Sequence, residues 1–170
     1  MKQIVLLILL FASLISSAQT PEENLKKAGV ILQAPKKPAG NYVNVVQTGK
    51  LLYLAGKGPT RDDESLITGK LGKDLSIEQG YDAAKLVAIN HIAVLKDYLG
   101  DLGKVKRIVK VLGMVNSAGE FYDQPKVMNG YSDFMVTIFG EKGKHARSSV
   151  GMNSLPNNIA VEVEVIVEVE

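Results

Sequence analysis

The sequence predicts one α/β (α+β) domain in which two long helices cover one face of a mixed sheet, in the element order β-β-α-β-α-β-β. Apolar residues recur with helical spacing in two long segments, residues 76–100 and 125–140. Residues 159–170 place isoleucine or valine at every second position with glutamates between them, as in a half-buried strand. The chain has 170 residues, which suits one domain.

The N-terminal end of the chain predicts a secretory signal peptide over residues 1–18. Lys2 gives a positive start, residues 4–12 are apolar, and Ser16 and Ala18 supply small residues at the −3 and −1 positions of a cleavage site. The apolar run is shorter than the roughly 20 residues that a membrane span needs. An uncleaved anchor is the alternative. We expect cleavage near Ala18, export to the periplasm or the medium, and no membrane attachment afterwards.

Composition excludes several kinds of chemistry. The sequence has no cysteine, so it can form neither disulfides nor a cysteine-based zinc site. Its two histidines, His91 and His145, have no ligand pattern around them, and we therefore expect no metal site. A net charge of +2 is too small for a dedicated nucleic-acid binder.

The segment 19–40 is predicted to be a short helix followed by a linker, and residues 41–170 the main domain. Thr20 caps the helix, Pro21 is its first residue, and Glu23 completes a capping box; the helix ends near Gly29. Prolines at positions 35 and 38 indicate the linker.

The main domain is predicted to begin with a hairpin of two strands, 42–47 and 51–55, around a turn at 48–50. Residues 60–73 are polar and contain glycine, which predicts a surface loop.

The two long helices carry start and stop signals. Ser76 and Gln79 form a capping box, and Gly100 ends the first helix. Pro125 opens the second helix and Gly140 closes it.

Three further strands are predicted, at 105–115, 147–152 and 159–170. With both helices on one face of the sheet, the other face needs cover, and a closed ring of subunits is one way to provide it.

Arg147 and Glu162 are the residues most suited to chemistry. Arginine presents a planar fork that holds a carboxylate through two parallel hydrogen bonds. If the strands of Arg147 and Glu162 are hairpin partners, both side chains could reach one pocket, where the carboxylate would orient a water or pass a proton. A structural Arg–Glu pair, or two solvated charges, explains the same spacing and stays open as an alternative.

The chain resembles a known family in several motifs. They are Ala146-Arg147-Ser148-Ser149-Val150, Leu155-Pro156 and Val161-Glu162-Val163-Glu164, with weaker support from Gly40-Asn41-Tyr42-Val43 and Leu54-Ala55-Gly56-Lys57-Gly58-Pro59. These motifs are similar to those of the Rid proteins, the reactive intermediate deaminases also called YjgF-type or L-PSP proteins. The resemblance extends from about Tyr42 to the C-terminus and points to a less studied branch of the superfamily.

The resemblance implies a chorismate-mutase-like fold and a homotrimer with three clefts between subunits. Deaminating members hydrolyse 2-imino or enamino acids to 2-oxo acids without a cofactor. By motif, Arg147 would hold the substrate carboxylate and Glu162 would position the water. Tyr42, the backbone near Gly56 and Ser149, Lys57, and Asn129, which lies one residue from the position of the family's pocket asparagine, would bind the substrate.

Departures from the family pattern keep other functions open. Deaminating members carry serine or threonine at the position of Ala55, often glutamine at Lys57, and commonly cysteine at Ser149. The alanine at position 55 favours a trimer that binds a small carboxylate without catalysing a reaction. Some relatives are described as ribonucleases, but the basic side chains at 104–110 have no neighbouring aromatic residues to stack on bases, which makes an endoribonuclease the less favoured alternative.

Overall fold

The structure is a computed structural model that describes residues 19–170, so the predicted signal peptide lies outside the described residues. The helices are α1 (Pro21–Lys27), α2 (Ile77–Leu99) and α3 (Gln124–Phe139), and the strands are β1 (Val45–Thr48), β2 (Leu51–Lys57), β3 (Val105–Asn116), β4 (Ala146–Met152) and β5 (Val161–Val169). After α1, the order is the predicted β-β-α-β-α-β-β.

Helices α1 and α2 begin where their capping residues lie. The Thr20 hydroxyl accepts from the Glu23 backbone N–H at 3.2 Å, and the Glu23 carboxylate accepts from the Thr20 N–H at 3.0 Å. Ser76 and Gln79 make the same reciprocal pair at the start of α2. Gly100 ends α2 in the left-handed region at φ +73°, which costs glycine little. Among residues 19–170, no helix combines the length and hydropathy needed to cross a membrane.

The five strands form one mixed sheet in the order β1-β2-β5-β3-β4. The pair β3–β4 is parallel, and the other three pairs are antiparallel. The C-terminal strand β5 is therefore central, and β4 forms one edge. The parallel pair follows from the crossover connection between β3 and β4, which contains α3.

The helices α2 and α3 cover one face of the sheet, as predicted. The alternate β5 residues on that face are buried with both helices in one core: Val161, Val163, Val165, Val167 and Val169. We call this the helix face. On the other side, Glu162, Glu164, Ile166 and Glu168 lie on a surface that no element of the described chain covers, and we call it the open face.

Some predicted boundaries were wrong. Strand β1 begins at Val45, so Tyr42 precedes it, and β2 runs on to Lys57 through an irregularity after Leu54. The segment 60–73 is not simply a surface loop, because the Leu71 side chain is fully buried and its backbone bridges to Ser117. Helix α1 packs on the main domain, with Leu25 in the core and Asn24 Nδ2 donating to the Ile138 carbonyl at 2.9 Å.

Candidate functional site

Arg147 lies on the edge strand β4, in register with Val111 of β3, so its side chain points to the helix face. Its guanidinium donates three hydrogen bonds to α3: to the Ser132 hydroxyl at 2.9 Å, the Asn129 side-chain oxygen at 3.1 Å and the Pro125 carbonyl at 3.2 Å. These acceptors are four and then three residues apart, which places them on one side of a helix. The guanidinium is thus held in one orientation.

All three acceptors are neutral, and no carboxylate among residues 19–170 forms an ion pair with Arg147. Partial burial lowers the pKa of the guanidinium, and the nearby Asp133 carboxylate acts against that shift. Arginine nevertheless keeps its charge in proteins. The positive charge is therefore oriented but not neutralised, which suits the binding of an anion.

The guanidinium borders an open depression of about 430 Å³, which is also lined by Ser132, Val136, Lys144 and His145. The guanidinium is therefore neither fully exposed to solvent nor enclosed by neighbouring side chains. Ser132 and His145 were not among the site residues predicted from the sequence. His145 precedes Arg147 by two residues on the approach to β4, which is the one sequence signal that links it to the site.

His145 and Ser132 extend the hydrogen-bonded group around Arg147. His145 Nδ1 lies 2.7 Å from the Gly143 carbonyl oxygen, and its Nε2 lies 2.9 Å from the Ser132 hydroxyl. Burial lowers the pKa of His145; the bond to Gly143 raises it and the Arg147 charge lowers it further. The imidazole is therefore neutral near pH 7.

Glu162 lies on the open face, in register with Met114. Burial raises the pKa of its carboxyl group, and the neighbouring Glu164 carboxylate raises it further. A side chain at Gly56 would overlap the Glu162 carboxyl group, so glycine is needed there for the glutamate to hold its position. A half-buried carboxyl group with a raised pKa suits proton transfer.

Arg147 and Glu162 do not meet within one chain. The hairpin pairing of their strands is wrong, because β3 lies between β4 and β5. Arg147 aligns with Val111 and Val165 on the helix face, whereas Glu162 aligns with Met114 and Val150 on the open face. A structural Arg–Glu pair within the chain is excluded for the same reason.

The other predicted site residues divide between the two faces. Ser149 aligns with Gly113 and Val163 and shares the helix-facing side of β4 with Arg147, and Asn129 contacts the guanidinium directly. Lys57 also faces the helices, where its Nζ donates to the Asn44 side-chain oxygen at 2.6 Å and burial lowers its pKa. It is therefore on the opposite face from Glu162.

Tyr42 is 58% exposed and lines a broad concavity of about 820 Å³ on the open face, together with Tyr53, Lys110 and Glu164. In residues 19–170, no three side chains of the metal-ligating types come together in a group that could hold an ion.

Comparisons with known proteins agree with this fold. Residues 22–169 match the family described as "YjgF/chorismate_mutase-like, putative endoribonuclease". The chain is 42% identical to Protein TCP17 of Trypanosoma cruzi over 85% of its length and 91% of that protein. It is 30% identical to the 2-iminobutanoate/2-iminopropanoate deaminase of Dermatophagoides farinae over 79% of its length and 90% of that protein.

Among solved structures, the protein Atu1372 of unknown function from Agrobacterium tumefaciens superposes with a TM-score of 0.83 at 40% identity, covering 89% of this chain and 94% of that one. TdcF of E. coli, solved with bound serine, has a TM-score of 0.60 at 20% identity over 82% and 96% of the two chains, and it shows the fold alone.

Proposed function

The chain belongs to the YjgF/chorismate-mutase-like family, the Rid superfamily that its sequence resembles, and from this membership we propose that it hydrolyses small 2-imino or 2-enamino acids to 2-oxo acids and ammonia. The activity named for the Dermatophagoides farinae relative supports the proposal. The observation that carries it is the Arg147 guanidinium, held by three neutral acceptors beside an open depression. The proposal includes action outside the cytoplasm.

Hydrolysis of an imine needs few catalytic groups. Arg147 holds the substrate carboxylate, which fixes the position of the imine carbon. Water then bonds to that carbon while Glu162 accepts one of its protons and passes it to the nitrogen, which gives an amino alcohol. Glu162 next takes the proton of the new hydroxyl group and passes it to the amino group. The carbon–nitrogen bond breaks as the carbon–oxygen double bond forms, so that ammonia leaves and the 2-oxo acid remains. An imine is already electrophilic, so orientation, a fixed counter-charge and one acid–base group suffice.

This mechanism needs two copies of the chain, because Arg147 and Glu162 lie on opposite faces of the sheet. The open face supports association: Tyr42, Val43, Val46 and Tyr53 are each 45–58% exposed there or at its margin. An uncovered apolar surface of this kind is typical of an interface. We propose a homotrimer in which the edge strand of one subunit approaches the open face of the next, so that each cleft takes Arg147 from one subunit and Glu162 from its neighbour.

Co-expression of two inactive variants tests this arrangement. Arg147→Ala and Glu162→Gln should each be nearly inactive alone toward 2-iminopropanoate. In randomly mixed oligomers, about one cleft in four combines an intact arginine with an intact glutamate, so activity should recover to about a quarter of wild type. The control is the same two variants purified separately and mixed without subunit exchange. Activity that stays at the level of the single variants would contradict a shared cleft.

Gly56→Ala should reduce turnover without unfolding the protein. The added methyl group would overlap the end of the Glu162 side chain, which can swing aside at little cost in stability but loses its catalytic position. We expect kcat to fall about a hundredfold, as small misplacements of catalytic groups do. Gly119→Ala, where the added Cβ has no neighbour within 4 Å, should behave like wild type. A wild-type kcat in Gly56→Ala would contradict a catalytic role for Glu162.

A trimer that binds a small carboxylate without chemistry is the second candidate, which Ala55 favours because deaminating members have a hydroxyl side chain there. A 2-oxo acid that raises the melting temperature without any imine turnover would support it. RNA cleavage has less support, because basic side chains at the start of β3 already have protein acceptors. Lys106 Nζ lies 2.6 Å from Glu168, and Lys110 Nζ lies 2.9 Å from the Ser148 hydroxyl.

A further inference from the structure

The hydrogen bonds that extend from Arg147 have only one consistent direction. The Gly143 carbonyl can only accept, so His145 Nδ1 carries the proton, and Nε2 of the neutral ring must accept. The Ser132 hydroxyl therefore donates to Nε2 and turns a lone pair toward Arg147 Nη1, which donates to it at 2.9 Å. The proton positions in this series of hydrogen bonds therefore follow from the Gly143 carbonyl alone.

The packing around His145 supports this arrangement. The ring of the fully buried Tyr131 meets the His145 ring edge-on at 6.2 Å between centroids. On its other side, the Tyr131 hydroxyl lies 2.9 Å from His91 Nδ1. The imidazole of His145 is thus fixed by a core side chain as well as by Gly143.

We propose that Ser132 and His145 are positioning residues, which set the orientation of the Arg147 guanidinium for the substrate carboxylate. This inference rests on the proposed function. Without the His145 acceptor, the Ser132 hydroxyl is free to turn its hydrogen toward the guanidinium. This rotation weakens the hydrogen bond from Arg147 to Ser132. Both groups are neutral, so they orient the charge of Arg147 without reducing it. A carboxylate partner would orient the guanidinium equally well but would compete with the substrate.

Removal of either group should weaken binding rather than chemistry. Ser132→Ala deletes the acceptor, and His145→Phe keeps a ring against Tyr131 but deletes Nε2. We expect each to raise KM about tenfold, the size expected for one hydrogen bond to a charged group, with kcat within about threefold of wild type. Ser132→Thr keeps the hydroxyl and should restore KM. Thr137→Ala, which deletes an exposed hydroxyl of the same helix that bonds to the Asp133 carbonyl, is the matched control and should leave KM unchanged.

Direct binding separates this inference from the proposed function. The dissociation constant of 2-oxobutanoate, measured by calorimetry, should rise about tenfold in Ser132→Ala and His145→Phe even if the wild type hydrolyses no imine. In that case the deaminase proposal fails and the positioning role stands. Unchanged KM and dissociation constants in both folded variants would overturn the positioning role. So would a loss confined to kcat, or a Ser132→Thr variant as weak as Ser132→Ala.

Discussion

Arg147→Ala is expected to lower kcat/KM for 2-iminopropanoate about a thousandfold, or roughly 4 kcal/mol, since it removes the positive charge and the hydrogen bonding that hold the substrate carboxylate. Arg147→Lys should recover less than a tenth of wild-type activity. Lysine keeps the charge but lacks the planar fork, and it cannot reproduce the contacts to Pro125, Asn129 and Ser132.

The change should leave the fold intact. Arg147 is only partly buried on an edge strand, and the acceptors that it releases lie where water can reach them. We expect the melting temperature to stay within a few degrees of wild type and the oligomer to persist. Arg61→Ala, which removes an exposed arginine that bonds only within the loop after β2, is the matched control and should retain full activity. Substantial imine hydrolysis by Arg147→Ala would show that the carboxylate binds elsewhere.

Acid should destabilise the protein through His91. Its side chain is fully buried: Nε2 lies 3.3 Å from the Ala55 carbonyl oxygen and Nδ1 lies 2.9 Å from the Tyr131 hydroxyl. The first contact makes Nε2 the donor, so Nδ1 accepts from Tyr131. Burial is the main cause that lowers the pKa of His91 to about 4, and the Lys57 charge adds to it, whereas the Ala55 contact acts the other way.

The direction of this pH effect on stability follows from proton uptake by the unfolded chain. Between pH 6.5 and about 4 the unfolded chain binds a proton on His91 that the folded chain does not, so stability is fully present above 6.5 and declines as the pH falls toward 4. The shift corresponds to a loss of about 3 kcal/mol in the free energy of unfolding. His145, whose pKa is also lowered, changes stability in the same direction.

Urea unfolding at pH 7.5 and pH 4.5, at fixed protein concentration, measures this loss. His91→Gln should show a smaller difference between the two pH values by about 3 kcal/mol. If that variant folds poorly, an NMR titration of the wild type gives the same information, because the sequence contains two histidines and His145→Phe assigns the signals. A His91 ring that titrates near pH 6.5 in the folded protein would refute the prediction.

The elements of the fold could be predicted because their signals are local. Thr20 with Glu23, and Ser76 with Gln79, set helix starts through contacts three residues apart. The alternation in β5 predicts which side chains are buried from one residue to the next. Strand ends also depend on distant residues, since the irregularity after Leu54 that carries β2 on to Lys57 arises from pairing with β5.

The candidate site was only partly predictable. The motif around Arg147 predicted this residue as the carboxylate-binding group, but nothing near it in sequence indicated Ser132, which lies fifteen residues away on α3. The contact forms because the crossover between β3 and β4 returns α3 along the edge strand. The nearness of His145 to Arg147 in sequence indicates that it could line the cleft, but its contacts with the Gly143 carbonyl and the Tyr131 ring depend on the tertiary structure.

The sequence alone determined the family and the order of helices and strands, and it predicted Arg147 and Glu162 as the residues most suited to chemistry. Only the tertiary structure decided that these two side chains lie on opposite faces. Strand order and face depend on registers across β3, including irregularities between Val105 and Arg107 and between Ile108 and Lys110. One residue of shift turns a side chain to the other face, and such shifts arise from pairing between distant strands, which local sequence does not encode.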